Sequence, residues 1–565
     1  MRTRATSCGS LAADSLSFAL GGPKRSILGE HGGNGRGNMS KQSSRIIEGP
    51  KLAAQIPALT VPELIRRAAR TAPAKTAIID ATSGRRESYG ELEQKIARMA
   101  AGLAALGLRP GDALLLFMPN QPEWLIAGLG ALAAGAVLSG ANFHYGATEL
   151  AHQLHAVEAR FVATTPALLP TVRQAAGPHS RLTILLTGEA PGTVNLDSLL
   201  TGEAPDCSVA TSPDARAALP FSSGTSGLPK GVILTHRTLV ANITQIRAAQ
   251  PPPESLVWLA YLPMFHIYGF TFSLYCLAVG GTLITLPRFE PGTFLEAIER
   301  YQVTHLSTVP PVLQFLAAHP LVGSRDLSSL VSIGCGAAPL GMATEQAAAR
   351  RLNCKVEQGY GMTEASAVIS MTYTDRPRLG SCGQLIPATE ARIIDPSTQA
   401  DVERGASGEL WFRGPQAFVG YLNDPAGTAR TITAEGWVRT GDVGHFDADG
   451  YLYITDRLKE LIKVKGFQVA PAELEALLLT HPAVLDAAVI ARAHERSGEV
   501  PIAFIVAREP LAAQAIKDWV AQRMVDYKHL DDVVFCDRIP KSAAGKILRR
   551  ELRARDAERA ASPKV

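Results

Sequence analysis

The sequence has no excess of charge of either sign. Its 565 residues include 56 Lys and Arg against 52 Asp and Glu, which gives a net charge of +4. A protein that binds nucleic acid through its phosphates needs a surplus of basic residues, so this composition argues against a nucleic-acid partner. An anionic ligand must instead be bound by a few local groups.

Cysteines are scarce and scattered. The seven cysteines are odd in number and never occur in C-x-x-C spacing, which argues against a zinc motif and against a framework of disulfides. Such a pattern is typical of reduced thiols. We therefore expect a cytoplasmic protein without a cysteine-based metal site.

The sequence also has no hydrophobic run of membrane-spanning length. The longest nearly uncharged apolar stretch, residues 124–138, has 15 residues, whereas a bilayer requires about 20. Its content of Ala and Gly predicts a buried helix of the core. We expect no membrane span.

A chain of this length is too long for a single hydrophobic core. Residues 1–48 are rich in Ser and Gly and have little apolar periodicity, which predicts a disordered tail within which Met39 is an alternative start. A charged junction near residue 459 predicts a domain boundary. We thus predict a tail (1–48), a large N-terminal domain (49–458) and a small C-terminal domain (459–565).

The apolar patterns predict an α/β fold. Leu92, Ile96, Met99, Leu103 and Leu106 form one helical stripe, and the apolar run 113–117 that follows is typical of a strand buried on both faces. Such units recur to about residue 380 and predict mostly parallel sheets. Short strands with Gly turns then indicate a β-rich subdomain, and the C-terminal region alternates helix and strand as an α+β domain.

The stretch 221–231, FSSGTSGLPKG, has the chemistry of a phosphate-binding loop. Its glycines let backbone N–H groups approach phosphate oxygens, and its hydroxyls and Lys230 add further donors. It does not fit the Walker A pattern, because Lys230 is followed by Gly231 and an apolar strand. A surface loop rich in Gly and Ser is the alternative for this stretch alone.

Three further motifs carry chemistry that is weak when each is taken singly. His266 lies among aromatics in LPMFHIYGF, where a core histidine is the ordinary interpretation. The stretch 358–364, QGYGMTE, combines a ring to stack on a base, a hydroxyl and a carboxylate suited to Mg²⁺. Lys546 in PKSAAGK reads as a surface lysine when it is considered alone.

In this order the motifs SSGTSGLPKG, PMFHIYGF, QGYGMTE, GELWFRG, WVRTGD, YITDRLKELIKVKGFQVAP and PKSAAGK form a specific set. The chain resembles the adenylate-forming acyl-CoA synthetase superfamily over about residues 50–555, and most of all the 4-coumarate:CoA ligase group. It departs from plant 4-coumarate ligases at residues 365–367, Ala-Ser-Ala in place of Ala-Gly-Pro, and from the wider family at Phe143, where Pro is common. The first departure lies at the expected acyl pocket.

The resemblance implies an ATP-dependent carboxylate:CoA ligase that forms an acyl-adenylate and then an acyl-CoA thioester, with ATP, Mg²⁺ and coenzyme A. It implies that Lys546, His266, Lys463 and Thr363 act in catalysis, that Glu364 holds the metal and that Lys459 is the hinge of a domain rotation. The positions implied to bind the nucleotide are Ser222, Ser223, Gly224, Thr225, Ser226, Gly227, Lys230, Gln358, Gly359, Tyr360, Asp442, Arg457 and Gln468. Those implied to line the acyl pocket are Tyr268, Ala337, Gly361, Ala367 and Val368.

The acyl wall carried over by motif is small or apolar apart from Tyr268, whose phenol offers a hydrogen bond to a para-hydroxyl. This favours a hydroxycinnamate-like aromatic acid, with a medium-chain fatty acid as the alternative. Three other functions stay open: transfer of the acyl group to a carrier protein, a luciferase-like oxygenase that uses the same first step, and a non-catalytic nucleotide-binding relative. The expected partners are small molecules.

Overall fold

The computed structural model describes residues 45–178, 180–201, 210–222, 229–465, 467–542 and 545–561. The first part of the chain contains β1 (Ile47–Glu48), α1 (Val61–Thr71), β2 (Thr76–Asp80), β3 (Arg86–Ser88), α2 (Tyr89–Ala105), β4 (Ala113–Phe117), α3 (Pro122–Ala133), β5 (Val137–Gly140), α4 (Ala147–Ala156), β6 (Phe161–Thr164), α5 (Leu169–Ala176), β7 (Thr183–Leu186), β8 (Val194–Asn195) and β9 (Arg216–Ala218). A single 3₁₀ turn in this part spans Leu196–Leu200 among the described residues.

The middle part contains β10 (Phe221–Ser222), β11 (Lys230–Thr235), α6 (His236–Ala249), β12 (Val257–Ala260), α7 (Ile267–Ala278), β13 (Thr282–Thr285), α8 (Pro291–Tyr301), β14 (His305–Thr308), α9 (Pro310–Ala318), β15 (Ser332–Cys335), α10 (Met342–Leu352), β16 (Lys355–Tyr360), β17 (Ser370–Met371) and β18 (Gln384–Leu385). Short 3₁₀ turns lie at Pro320–Ser324 and Thr363–Ala365.

The last part contains β19 (Glu390–Ile394), β20 (Gly408–Arg413), β21 (Gly420–Tyr421), α11 (Pro425–Thr431), β22 (Val438–Phe446), β23 (Leu452–Arg457), β24 (Ile462–Val464), β25 (Phe467–Val469), α12 (Pro471–Leu478), β26 (Val484–His494), β27 (Gly498–Ala507), α13 (Ala513–Ala521), β28 (Asp532–Phe535) and α14 (Arg549–Ala561). A 3₁₀ turn spans Asp526–Lys528.

Two large sheets confirm the predicted α/β fold. One has the strand order β18-β17-β16-β15-β14-β12-β13-β2-β3, and its strands from β16 to β2 are parallel. The other has the order β10-β11-β9-β5-β4-β6-β7-β8, with β21 attached to β11, and is parallel from β9 to β8. Parallel strands need covering helices on their faces, which the intervening helices supply.

Helix α2 follows the predicted apolar stripe. Ser88 caps it by accepting a hydrogen bond from the Glu91 N–H, while the Glu91 carboxylate accepts one from the Ser88 N–H at 2.7 Å. Leu92, Ile96 and Met99 are buried. The helix ends before Gly107, whose φ of +90° is readily adopted by glycine.

The apolar stretch 124–138 is only partly helical. Helix α3 ends at Ala133, because Gly135 reverses the chain with a φ of +79° and Val137 begins strand β5. Among the described residues no helix combines the length and the apolarity needed to cross a bilayer. The prediction of a core helix is therefore confirmed for its first part and wrong for its last residues.

The β-rich subdomain is a sheet of order β1-β19-β20-β22-β23. Strand β1 pairs with β19, with Ile47 opposite Ala391 and Glu48 opposite Glu390. Ile47 and Glu48 therefore belong to the folded region, and the prediction that placed them in a disordered tail is wrong for these two positions. Their pairing is long-range in sequence, so local composition does not reveal it.

The C-terminal region has a sheet of its own, ordered β25-β24-β27-β26 with β28 beside β27. One face buries Ile462, Leu474 and Ile516 against α12 and α13, and the other buries Ile502 and Leu552 against α14. The strands alternate the faces on which their apolar side chains lie, as a sheet covered on both sides requires. The predicted separate C-terminal domain with strands and helices is confirmed.

Candidate active site

A cavity of about 710 Å³ lies at the carboxyl ends of β14, β15 and β16. The large region contributes Tyr268, Tyr360 and Thr363 to its wall, and the residues after β23 contribute Lys459 and Lys546. Open α/β sheets commonly bind ligands at the carboxyl ends of their strands. Side chains that are far apart in sequence thus meet in one concave site.

Lys546 lies on a small hairpin that reaches into the cavity. The hairpin is closed by the Ser542 N–H donating to the Lys546 carbonyl at 2.8 Å, and a bridge pairs Lys541 with Ile547. Gly545 adopts a φ of +76°, and a Cβ there would meet Val309 Cγ2 at 3.2 Å, so the hairpin tip packs closely on the large region. This packing holds Lys546 in place.

The Lys546 ammonium is half-buried, and no carboxylate of the described residues lies within 4.0 Å of it. Burial and the nearby Arg457 guanidinium lower the pKa of Lys546 from 10.5 to about 8. The Asp442 and Glu364 carboxylates act in the opposite direction and raise it. A lysine in this setting is a cation available to an anionic ligand.

Asp442, Arg457 and Tyr360 form one network around the buried Asp442 carboxylate. Asp442 and Arg457 are directly opposite on the antiparallel strands β22 and β23, and they form an ion pair in which the Arg457 Nε lies 3.0 Å from the Asp442 Oδ1. The Tyr360 hydroxyl donates to the Asp442 Oδ2 at 2.7 Å. The Asp442 carboxylate raises the pKa of Arg457, which stays charged. Tyr360 and Arg457 line the cavity, and the Asp442 carboxylate is held by both of them.

Glu364 and Thr363 lie on the turn that follows β16. Both are buried, and the Glu364 Oε1 accepts a hydrogen bond from the Tyr421 hydroxyl at 2.8 Å. The Ser222 hydroxyl points at the same oxygen from 3.4 Å. The Glu364 carbonyl accepts from the Phe418 N–H at 2.8 Å, which fixes the backbone of the turn. The carboxylate is thereby oriented beside the phosphate-loop strands.

The strands that flank the predicted phosphate loop pair with each other. Phe221 lies opposite Gly231, and Ser222 lies opposite Lys230, in an antiparallel pair. Ser223, Gly224, Thr225, Ser226 and Gly227 lie outside the described residues. Lys230 itself donates to the Asp424 Oδ2 at 2.7 Å and lies 5.1 Å from the centre of the Tyr421 ring.

His266 caps helix α7 while it lines the cavity. Its Nδ1 accepts a hydrogen bond from the Tyr268 N–H at 3.4 Å, which leaves the proton of the neutral ring on Nε2. Burial and the Lys546 ammonium lower the pKa of His266 to about 3. The ring is therefore neutral at ordinary pH and offers an N–H donor rather than a positive charge.

The predicted acyl wall forms one side of the cavity. Tyr268 packs edge-on against Phe272, and its hydroxyl donates to the Gly334 carbonyl at 3.2 Å. A Cβ at Gly361 would meet the Ala367 carbonyl oxygen at 1.6 Å, so only glycine fits there. Ala337 and Val368 complete the set that the sequence predicts.

Backbone strain is concentrated at this wall. Ser366 and Ala367 have φ angles of +54° and +130°, which are unfavourable for residues with a Cβ. Buried side chains hold the segment: the Thr271 hydroxyl donates to the Ser366 carbonyl at 2.8 Å, and Asn242 bonds both the N–H and the carbonyl of Val368. Strain of this kind persists only where the surroundings impose it.

Not every predicted site residue lies in the cavity. Lys463 and Gln468 are opposite one another on the β24–β25 hairpin, where both are exposed and neither lines the cavity. Gln358 does line the cavity, and its side chain donates to Glu345 at 2.6 Å. Gly359 lines the cavity through its backbone in β16.

Residues 65–422 match the family described as AMP-binding enzyme, and residues 473–546 match the AMP-binding enzyme C-terminal domain. The chain belongs to the AMP-binding enzyme family. It is 41% identical over 496 residues to 4-coumarate–CoA ligase 1 of Petroselinum crispum, an alignment that covers 85% of this chain and 91% of that relative. The predicted adenylate-forming membership is thus confirmed.

Solved structures of a CoA ligase and of an amide bond synthetase share the fold. The anthranilate CoA ligase AuaEII in complex with anthranoyl-AMP has a TM-score of 0.82 at 25% identity, covering 89% of this chain and 98% of that one. The amide bond synthetase McbA from Marinactinospora thermotolerans has a TM-score of 0.80 at 28% identity, covering 88% and 99%. The acid–CoA ligases of the family use ATP and coenzyme A.

Sequence reasoning missed the residues that hold the AMP-binding enzyme's site in place. Tyr421 and Asp424, which contact Glu364 and Lys230, lie in the stretch GYLNDP, whose paired aromatic and carboxylate are the only local signal. Asn242 and Glu357 carry no local signal, because each acts on a segment more than a hundred residues away.

Proposed function

We propose that the protein is an ATP-dependent carboxylate:CoA ligase for an aromatic, hydroxycinnamate-like acid. The observation that carries the proposal is the position of Lys546, a cation without an ion-pair partner among the described residues. It lies beside the Asp442 network in a cavity whose other part, the acyl tunnel, is lined by Phe272, Val368 and Met371. A site of this kind can gather a carboxylate and a triphosphate around one fixed charge.

The nucleotide side suits adenosine. Tyr360 presents a ring for stacking on adenine, and Asp442 with Arg457 is placed to hold the ribose hydroxyls. The phosphate loop and Lys230 would bind the β- and γ-phosphates, for which Lys230 must exchange Asp424 for phosphate oxygen. Thr363 would contact phosphate from the turn after β16.

Mg²⁺ fits the oxygen donors on this side. The buried Glu364 carboxylate supplies one protein ligand, and Mg²⁺ is commonly held by one or two carboxylates together with substrate phosphates and water. When bound, the ion neutralises charge on the phosphates. Glu364 is held for this role by Tyr421.

Lys546 and the neutral His266 flank the place where the acid carboxylate meets the α-phosphate. The ammonium stabilises the negative charge that develops there, and the His266 Nε2–H donates to the carboxylate. Expulsion of pyrophosphate then leaves an acyl-adenylate, whose mixed anhydride is open to attack by the coenzyme A thiol with AMP as the leaving group.

The second half-reaction requires a rotation of the C-terminal domain. Lys459 lies in the turn between β23 and β24, where the described chain passes from the β-rich sheet to the C-terminal sheet, and this position supports a role as the hinge. Lys463 and Gln468 are exposed on the adjoining hairpin and are available to face the cavity after rotation. A change of lid or domain position between steps is a common device in enzymes.

The choice of acid rests on the shape and polarity of the tunnel. Phe272, Val368 and Met371 give it apolar walls, which suit a flat ring or an alkyl chain. A medium-chain fatty acid remains the second candidate, because Ala367 is small. The likeness to an amide bond synthetase shows that fold alone does not fix the acceptor.

Steady-state rates on a panel of acids test the proposal. We expect coenzyme A-dependent formation of AMP and thioester with ATP and Mg²⁺, and a higher kcat/KM for 4-coumarate than for benzoate or octanoate. AMP formation that is indifferent to coenzyme A contradicts the ligase assignment, and a clear preference for octanoate identifies a fatty acyl-CoA synthetase.

A cytoplasmic location is also proposed, supported by five unpaired cysteines among the described residues.

A further inference from the structure

The acyl tunnel follows one face of the parallel sheet. Ser307, Gly334 and Glu357 are neighbours across strands β14, β15 and β16, and side chains in register on parallel strands share a face. Towards the cavity mouth the same face carries Gly336, Gly359 and Gly361, so the floor of the tunnel is mostly backbone. A strand rises about 3.3 Å per residue, and Glu357 therefore lies about 13 Å from Gly361.

The far part of the tunnel has aromatic walls. Trp258 stacks on Phe272 with ring centres 5.4 Å apart and on His305 at 5.8 Å, and all three line the cavity. Burial lowers the pKa of His305 to about 4, so its ring is neutral. A planar ring of a substrate would find large apolar surfaces here.

Glu357 is a carboxylate at the end of this aromatic tunnel. It is 7% exposed and lines the cavity. Its Oε2 accepts hydrogen bonds from the Gln250 amide at 2.9 Å and from the Ser332 hydroxyl at 3.0 Å. Its Oε1 accepts no hydrogen bond from any described residue.

Burying the Glu357 carboxylate costs solvation free energy unless hydrogen-bond donors, including one from a ligand, satisfy both of its oxygens. Gln250 is itself fixed by a second hydrogen bond to the Thr372 carbonyl at 2.6 Å, so the carboxylate is held in a defined orientation. Burial raises the pKa of Glu357, with the Ser332 and Gln250 hydrogen bonds opposing the rise. A ligand without a donor would bury the free oxygen against carbon and lose the hydration of that oxygen.

We propose that Glu357 determines specificity by accepting a hydrogen bond from a hydroxyl or amino group at the end of the acid remote from its carboxylate. The inference rests on the proposed ligase function. It differs from the expectation for Tyr268, whose hydroxyl proton is already donated to the Gly334 carbonyl. Sites built to bond a substrate hydroxyl reject the analogue that lacks it.

The test compares three acids that differ only at the far end: 4-coumarate, 4-aminocinnamate and cinnamate. The wild-type enzyme should prefer the two donor-bearing acids by about ten- to a hundredfold in kcat/KM, the range of a hydrogen bond to a charged acceptor. In Glu357→Leu the preference should fall to about one, chiefly because cinnamate improves. The isosteric Glu357→Gln keeps an acceptor without charge and should show an intermediate ratio.

Glu345 supplies the matched control. It is 5% exposed and accepts hydrogen bonds on one oxygen from Gln358 and from the Gly380 N–H, as Glu357 does from its partners, but it does not line the cavity. Glu345→Gln should leave the ratio between the acids at the wild-type value, whatever its effect on stability.

The outcomes separate this inference from the ligase assignment. Thioester formation at equal kcat/KM from all three acids, or an unchanged ratio in both Glu357 variants, overturns the role of Glu357 and leaves the ligase intact. Should Glu357→Leu fail to fold, Glu357→Gln decides the question through the same ratio. No thioester from any acid overturns the proposed function and the inference with it.

Discussion

At the nucleotide end of the cavity, Asp442 is held on both oxygens by Tyr360 and Arg457, whereas at the acyl end the floor is made of Gly336, Gly359 and Gly361. At the first end charged and polar side chains form the site, whereas at the second the glycines leave room for the acid between aromatic walls. Chemistry common to all substrates is therefore fixed by residue type, and the choice of acid is fixed by space and by Glu357.

The largest effect should come from removing the cation that joins the two ends. Lys546→Ala should lower acyl-adenylate formation by about 10²- to 10³-fold, the usual range for one preorganised donor of charge. Thioester formation from supplied acyl-adenylate should largely survive, because Lys546 acts on the first step. Pre-steady-state assays of the two half-reactions provide the measurement.

Lys541 is the matched control for that variant. It lies on the same hairpin but pairs with Asp486 at 2.7 Å and does not line the cavity. Lys541→Ala should leave the ratio of the two half-reactions unchanged. An equal loss of both half-reactions in Lys546→Ala would identify Lys546 as a structural residue.

Filling the glycine floor should affect the acyl end alone. A Cβ at Gly334 would meet nothing nearer than the Leu306 carbonyl oxygen at 3.8 Å, so a larger side chain there projects into free space. We expect Gly334→Val to reduce kcat/KM for 4-coumarate at least about tenfold relative to acetate, since overfilling is costly. The KM for ATP should stay close to the wild-type value.

Gly341 is the control for this change. It is exposed at the start of α10, and no atom lies within 4 Å of a Cβ placed there. Gly341→Val should not alter the ratio between long and short acids. An equal loss on acetate and 4-coumarate in Gly334→Val would show that the tunnel does not run over Gly334.

The smallest expected effect is a dependence on pH. With its pKa lowered to about 8, Lys546 is charged below that pH and neutral above it. Acyl-adenylate formation should therefore be roughly halved at pH 8 and fall about tenfold for each further unit. His266, with a pKa of about 3, should contribute no change between pH 5 and pH 9.

Lys546→Arg checks the assignment of this titration. Arginine stays charged throughout, so the variant should be less active but should lose the alkaline decline. A decline of the same shape in Lys546→Arg would assign the titration to another group.

The nucleotide end of the site could be predicted from the sequence better than the acyl end. Asp442 and Arg457 stand out because each occurs in a short charged motif, and their pairing across β22 and β23 then follows from an antiparallel hairpin. The strand after the phosphate loop and strand β4 are predicted for the same reason, since local pattern determines them.

Other features depend on contacts that local pattern does not encode. Glu357 gains its role from Gln250, which lies 107 residues earlier, and Lys230 from Asp424, which lies 194 residues later. The sequence does not distinguish Gly334 from other glycines in strands. Only the structure shows that a Cβ at this position would point into free space. Ile47 and Glu48 have no local pattern that predicts a strand, because they pair with β19, which lies far along the chain.

The central claim is that one cavity makes an acyl-adenylate and then passes its acyl group to coenzyme A. Mass spectrometry of a single turnover tests it directly, with 4-coumarate, ATP and Mg²⁺ incubated first without coenzyme A. We predict that acyl-AMP accumulates to the concentration of the enzyme and is converted to acyl-CoA and AMP when coenzyme A is added. Acyl-AMP that persists after coenzyme A is added, or that never forms, would contradict the account.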